Sequence, residues 1–151
     1  MTPHDLSHHL LQEAHFGPIV LIADDSKTMR TITKHALERE GLQTVEATTP
    51  VEAIAAAGEY RPDIFLLDIT FASALTDGYR LCRTLRDMPE FHETPILLVS
   101  GHDGLVDRVR GRLAGASGYV TKPFVMGELV ALVRELAVLE WRRRQERARR
   151  S

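Results

Sequence analysis

Three short runs, PIVLIA at 18–23, DIFLL at 63–67 and PILLV at 95–99, are apolar at nearly every position and are bounded by proline or charge. A strand with one wet face alternates apolar and polar residues, so a run apolar on both faces must be covered on both, as in the inner strands of a parallel sheet. QTVEA at 43–47 alternates more and suits an edge strand, and GYV at 118–120 is a short fifth candidate. Helical patterns fill the intervals. Met29, Ile32, Thr33, Ala36 and Leu37 recur at helical spacing and end at Gly41. TPVEAIAAAG, from residue 49, offers Thr49 as N-cap, Pro50 in the first turn and Glu52 to close a capping box. Gly78, Leu81, Cys82 and Leu85 share one face of a third helix, a fourth fits 103–114 and a fifth starts near Met126. Strand and helix alternating five times predict an α/β fold, a doubly wound five-stranded parallel sheet with helices on both faces.

Composition agrees with this and narrows the setting. The chain has 151 residues, the size of one domain with modest extensions, and its 44% hydrophobic content is ordinary for a globular core. The single cysteine, Cys82, cannot form an intrachain disulfide. Neither a run of ~18 apolar residues nor a basic segment followed by an apolar signal-type stretch is present, so the expectation is a soluble cytoplasmic protein without membrane contact. Net charge is −2, but unevenly spread: Glu140 to Ser151 holds six Arg and two Glu. The tail is therefore basic and the remainder acidic.

In a doubly wound sheet the loops at the carboxyl ends of the strands converge on one crevice, where strand order reverses. The residues closing each run are then neighbours: Asp24 and Asp25 after the first strand, Asp68 after the third, Ser100 after the fourth and Lys122 after the fifth. Two adjacent carboxylates are costly unless solvent, a cation or a basic partner compensates them. Oxygen donors suit Mg²⁺, which keeps several waters and takes one or two carboxylates plus phosphate oxygens. The acidic pair can hold that metal and leave Asp68 to act as a nucleophile.

These residues resemble a response-regulator receiver domain of the chemotaxis, CheY-like type. ADDS, LLDI, LVSG and GYVTKPF match its signatures in order, over roughly residues 17–140. The resemblance implies a flavodoxin-like sheet of order 2-1-3-4-5 and a phosphorelay role. Asp68 would accept a phosphoryl group from a histidine kinase or phosphotransfer protein. Asp25, Asp68 and the Thr70 carbonyl would ligate Mg²⁺, with Asp24 assisting partly through water. Ser100 would hydrogen-bond a phosphoryl oxygen and Lys122 would pair with its charge. Tyr119, three residues before Lys122, would move into space that Ser100 vacates, and Pro123 would follow a cis bond. A downstream protein would read the surface of the fourth helix, fifth strand and fifth helix, which also leaves room for a homodimer. GHDGLVDRVRGRLAGASGYVTKPF, from residue 101, resembles the receivers of type IV pilus and twitching-motility chemosensory systems more than flagellar ones.

Some stretches depart from that pattern. DITFASALTDG, from Asp68, carries Ala72 where relatives usually have proline, in a loop two residues longer. His4, His8, His9 and His15 crowd the N-terminal extension, 1–16, with no set ligand spacing; Leu6, Leu10, Leu11 and Phe16 suit a short amphipathic helix on the domain or a partner. His102, two after Ser100, stands near the pocket. In the last helix, Leu129, Leu132, Val133 and Leu136 are expected on the sheet, with Val130, Ala137 and Trp141 extending a second face. The basic extension, 141–151, is expected to project as helix, with Arg143, Arg147 and Arg150 forming a stripe for an acidic partner surface. No second domain of DNA-binding or enzymatic size follows residue 126, so the expectation is a single-domain signalling protein rather than an enzyme. An Asp-nucleophile, Mg²⁺-dependent phosphatase is the first alternative, but the position two after Asp68 is Thr70, not a general-acid Asp. Nucleic-acid binding through the arginines is the second, disfavoured without stacking aromatics or a helix-turn-helix.

Overall fold

The computed structural model describes residues 17–69, 77–102 and 104–150. Five strands alternate with helices: β1 Ile19–Ala23, α1 Lys27–Glu38, β2 Gln43–Ala47, α2 Pro50–Tyr60, β3 Ile64–Asp68, α3 Asp77–Asp87, β4 Ile96–Ser100, α4 Leu105–Leu113, β5 Gly118–Thr121 and α5 Met126–Arg150. A short 3-10 turn, Pro89–Phe91, precedes β4. All strand pairings are parallel, in the order β2-β1-β3-β4-β5.

Strand parity divides the core in two. Leu21, Phe65, Leu67, Ile96 and Leu98 face a layer holding Ala53 and Ala57 of α2 and Leu81, Cys82 and Leu85 of α3. Val20, Ile22, Ile64, Leu66, Leu97 and Val99 face Leu37 of α1 and Leu129, Val133 and Ala137 of α5. Both faces of β3 and β4 are buried throughout, which accounts for their continuous apolar sequences.

The capping expectations hold, with one shift. Thr49 Oγ1 accepts from the Glu52 N–H at 3.1 Å, while the Glu52 carboxylate accepts from the Thr48 N–H at 2.7 Å, one residue earlier than a capping box requires. The expected arc of α5 is corrected. Leu129, Val130, Val133, Ala137 and Glu140 are its buried residues, whereas Leu132 is 37% exposed and Leu136 and Trp141 are half-buried. The buried stripe is helical in period but rotated from the leucine-rich arc, since the sheet meets the smaller side chains.

Nor does the lower part of α5 stand free of the domain. Arg144 donates to the Arg61 carbonyl at 2.9 Å, Asp63 Oδ1 at 3.3 Å and Thr94 Oγ1 at 2.8 Å. Asp63 Oδ2 in turn accepts from the Ile19 N–H at 2.8 Å, so this arginine ties α5 to the starts of β1 and β3. Glu140 is buried with Arg143, Arg144 and Arg147 all bonded to its carboxylate. Two members of the expected basic stripe, Arg143 and Arg147, therefore turn back on their own helix. Among the described residues, no helix is long and apolar enough to cross a membrane.

Candidate functional site

At the carboxyl edge of the sheet Asp24 and Asp25 directly follow β1, β3 ends in Asp68, β4 in Ser100 and β5 in Thr121, with Lys122 next. Register aligns these ends: Ala23 pairs with Leu67, Asp68 with Val99, and Ser100 with Thr121. Carboxylate oxygens of Asp24, Asp25 and Asp68 lie within 4.8 Å of one another. Their exposure is graded, Asp25 open, Asp24 half-buried and Asp68 buried, so the cluster is reached from the Asp25 side.

The turn after β1 aims the acidic pair. Asp24 Oδ1 accepts from the Ser26 N–H at 2.8 Å, and Ser26 Oγ caps α1 by accepting from the Met29 N–H at 3.2 Å. Arg30, in the next turn of α1, donates to the Asp24 carbonyl at 2.9 Å and pairs with Glu46 at 3.3 Å. The Asp24 carboxyl is held above its ordinary value, first by burial and further by the charges of Asp68 and Asp25, against the Ser26 bond and Lys122. A carboxyl raised by burial and by like-charged neighbours is one whose charge a bound cation stabilises.

Opposite the acid cluster, Lys122 Nζ lies 3.0 Å from Asp68 Oδ2, and the Lys122–Pro123 bond is cis. The Lys122 N–H also donates to the Ser100 carbonyl at 2.7 Å, fixing the start of this loop against β4. Ser100 is fully buried, and its Oγ accepts from the His102 N–H at 3.0 Å. The carbonyl of His102 accepts from Tyr119 Oη at 2.7 Å. A single exposed residue thus links Ser100 to Tyr119 through its main chain. The Tyr119 ring is half-buried along α4, below the Arg108 guanidinium at 5.4 Å and against Gly111, where a Cβ would come within 3.1 Å of it.

Gly78 has a role that its lack of a side chain makes evident. A Cβ there would sit 2.4 Å from Ile69 Cα and 2.8 Å from the Asp68 carbonyl oxygen, so only glycine lets α3 close on the end of β3. Tyr79, next in sequence, reaches α4 through Oη to the Asp107 carbonyl at 3.3 Å, with Arg110 over its ring at 4.5 Å.

Six of the anticipated site residues, Asp24, Asp25, Asp68, Ser100, Tyr119 and Lys122, therefore stand at this edge. Thr70, Ala72 and the four N-terminal histidines lie outside the described residues. The His102 main-chain link and the contacts of Gly78 and Arg30 were not anticipated. Only the glycine beside Asp77 offered a sequence signal, as an unsubstituted position at the start of α3.

The donor set fits Mg²⁺: it is all oxygen, two of its carboxylates come from adjacent residues, and the exposed Asp25 side leaves room for water and phosphate oxygens. Asp25, Asp24 and Asp68 are the residues that would hold it.

Comparison with known proteins agrees with this geometry. Residues 20–134 match the family described as response regulator receiver domain. Protein PilG of Pseudomonas aeruginosa is 33% identical over 118 residues, covering 78% of this chain and 86% of that protein. The transcriptional regulatory protein TrcR of Mycobacterium tuberculosis is 37% identical over 127 residues, and there the chain spans about half of the relative's length, 48%. Among solved structures, the chemotaxis response regulator CheY4 of Vibrio cholerae superposes with a TM-score of 0.73 at 26% identity, covering 80% of this chain and 98% of that one. The receiver domain of a Francisella response regulator does so at 0.73 and 29%, covering 84% and 98%. With two core layers around a parallel sheet, an acidic cluster facing a lysine across its carboxyl edge, and a matching family model over most of its length, this chain belongs to the response regulator receiver domain family of two-component signalling.

Proposed function

We propose that Asp68 is the phosphoryl acceptor of this receiver and that its modification changes the surface of α4, β5 and α5 for contact with a downstream protein. The observation that carries this is the position of Asp68, buried between an acid pair within 4.8 Å and an ammonium at 3.0 Å. An Asp68 carboxylate oxygen forms the new bond to phosphorus while the bond from phosphorus to a phosphohistidine nitrogen breaks, the electron pair remaining on the imidazole. The chain's task is placement and charge neutralisation. Asp25, Asp68 and the Thr70 carbonyl, with Asp24 assisting, would hold Mg²⁺, which when bound would neutralise charge on the phosphoryl oxygens. Lys122 balances charge from the other side. Ser100 donates to a phosphoryl oxygen, and drawing its Oγ there gives up the bond from the His102 N–H, which loosens the carbonyl that Tyr119 holds.

The receiver unit is 17–140, with 1–16 and 141–151 as extensions. Leu105, Val109 and Leu113 are 78%, 44% and 66% exposed along one stripe of α4, an apolar surface that supports protein contact. The partners are a histidine kinase or phosphotransfer protein, a protein target, and a second copy through that same surface. Likeness to the chemotaxis regulator CheY4 supports a chemosensory setting in the cytoplasm, and the stretch 101–124 supports the type IV pilus and twitching-motility branch. Because Arg143, Arg144 and Arg147 are engaged by Glu140, the tail offers little to nucleic acid, and this chain acts as a switch rather than an enzyme turning over substrate. Acetyl phosphate with Mg²⁺ tests the assignment. Intact mass should rise by one phosphoryl group in the native chain and not in Asp68→Asn, and labelling of that variant would overturn it.

A further inference from the structure

Asp24 is fastened through its N–H, its carboxylate and its carbonyl, each in a different direction. The N–H donates to the Ala47 carbonyl at 3.2 Å, just past the last β1–β2 pair, Ala23 with Ala47. Oδ1 accepts from the Ser26 N–H at 2.8 Å, and the carbonyl oxygen accepts from Arg30 Nη1 at 2.9 Å. That carbonyl belongs to the peptide joining Asp24 to Asp25, which is planar and rigid, so holding its oxygen also sets the direction in which Asp25 leaves the turn. Asp25 is exposed. Packing therefore does little to aim its carboxylate, and the backbone before it does more.

Arg30 is itself held. Its side chain is 13% exposed, and Nε donates to Glu46 Oε1 at 3.3 Å. Glu46 pairs with Ile22 in the β1–β2 register, one residue before Ala23 and Ala47. A single planar group from α1 thereby joins β2 to the turn after β1 through two nitrogens at a fixed angle, where an ammonium would offer one point charge. Lys34, one turn further along α1, reaches Oε2 of the same glutamate at 3.6 Å. It shares the charge and the Glu46 partner of Arg30, without the bond to the Asp24 carbonyl.

We propose that Arg30 is a positioning residue for the acidic cluster: through the Asp24 carbonyl, and braced by Glu46, it holds Asp24 and Asp25 in the arrangement that takes Mg²⁺. Its role runs through the Asp24–Asp25 peptide rather than through contact with the ion. The inference rests on the reading of this cluster as the Mg²⁺ site and is independent of phosphoryl transfer. Loss of a group that orients metal ligands from behind typically weakens metal binding ~10–100-fold.

Calorimetric titration of the full chain with Mg²⁺ alone tests it, together with the Asp25 amide resonance read without metal. Arg30→Ala should raise the Mg²⁺ Kd ~10-fold and shift the metal-free Asp25 amide. Arg30→Lys keeps the charge but not the two-point bridge and should recover little of the loss. Glu46→Ala leaves Arg30 unbraced and should lose part of the affinity, and combining it with Arg30→Ala should add nothing, since the two act along one chain of contacts. Lys34→Ala removes the same charge from the same glutamate and should leave both readouts unchanged. A native Kd in Arg30→Ala would overturn the proposal. So would an equal loss in Lys34→Ala or full recovery in Arg30→Lys, which would assign the effect to charge. If Arg30→Ala does not fold, Arg30→Lys and Glu46→Ala carry the same test. A native chain that takes up no Mg²⁺ would overturn the metal reading and this inference with it, a result distinct from variants that bind as well as the native chain.

Discussion

Lys122 Nζ and Asp68 Oδ2 are 3.0 Å apart, with Lys122 one-third exposed and Asp68 buried. The pair bridges β3 and the loop after β5, so the buried charge at the end of the central strand is answered by a group that starts in a different loop. Lys122→Ala should leave Mg²⁺ affinity within a few-fold of native while impairing the conformational response, whereas Asp25→Ala should weaken Mg²⁺ tenfold or more, ~1.4 kcal/mol. Titration calorimetry on both variants checks this, and equal losses would contradict separate roles.

Metal and proton compete at Asp24. Its raised carboxyl takes up a proton at higher pH than in the unfolded chain, so in metal-free buffer its contribution to stability is present at low pH and fades as pH rises through the folded value. Mg²⁺ should reverse that loss, adding ~2.7 kcal/mol at a hundredfold excess over Kd. Thermal melts from pH 4 to 8, with and without Mg²⁺, should therefore diverge toward neutral pH, and Asp24→Asn should flatten the metal-free curve. Parallel curves would show that the acid cluster does not govern metal-linked stability.

Gly78→Ala places a methyl against the Asp68–Ile69 backbone. Either β3 or α3 must shift, at a cost of ~1–3 kcal/mol, which disturbs the backbone that places the Asp68 carboxylate. Phosphorylation by acetyl phosphate should slow at temperatures where circular dichroism still shows a folded chain. Gly127→Ala, where a Cβ meets open space, is the control and should leave both measurements unchanged.

Much of this site was legible because each residue ends an apolar run. β2 spans Gln43–Ala47, as its alternating pattern indicated, and Asp24, Asp68, Ser100 and Lys122 come together because parallel strands bring their ends to one edge. The last helix was less legible. Apolar residues occupy two adjacent arcs of α5, so periodicity could not choose between Leu132 and Ala137, and a glutamate at 140 reads locally as solvent-facing. Its burial depends on three arginines, one of which also bonds Asp63 and Thr94, more than forty residues away. The His102 link was hidden for another reason: it uses main-chain atoms, which any residue type supplies.

That link predicts coupling. Beryllofluoride with Mg²⁺, a phosphoryl mimic, should draw Ser100 Oγ from the His102 N–H and shift Tyr119 ring and Oη resonances together. Ser100→Ala should uncouple them, leaving Asp68 able to bind the mimic while Tyr119 stays unchanged. Tyr119 responding equally in Ser100→Ala would rule out transmission through His102.

Arg144 offers the last test, at the opposite end of the sheet. It holds α5 to Asp63, Thr94 and the Arg61 carbonyl while bonding Glu140 at 3.2 Å. Arg144→Leu removes the charged partner of a buried Asp63, leaving it the Ile19 N–H, and one of three from Glu140, and charged hydrogen bonds of this kind, here partly exposed, contribute ~1.5–3 kcal/mol. The midpoint of urea unfolding should fall accordingly, without loss of phosphorylation in the folded chain. Burial already raises the Asp63 carboxyl against the opposing pull of the Ile19 N–H and Arg144, and the Glu140 charge raises it further. Relative to Asp63→Asn, the native chain should therefore gain stability as pH falls through the folded value toward the ordinary Asp range, and lose it as pH rises. Removing Arg144 takes away a lowering influence, so the same gain should begin at higher pH in Arg144→Leu. If truncation before Arg142 leaves the unfolding midpoint of the native chain unchanged, these contacts do not anchor α5 in solution, and the basic turns are a solvated end.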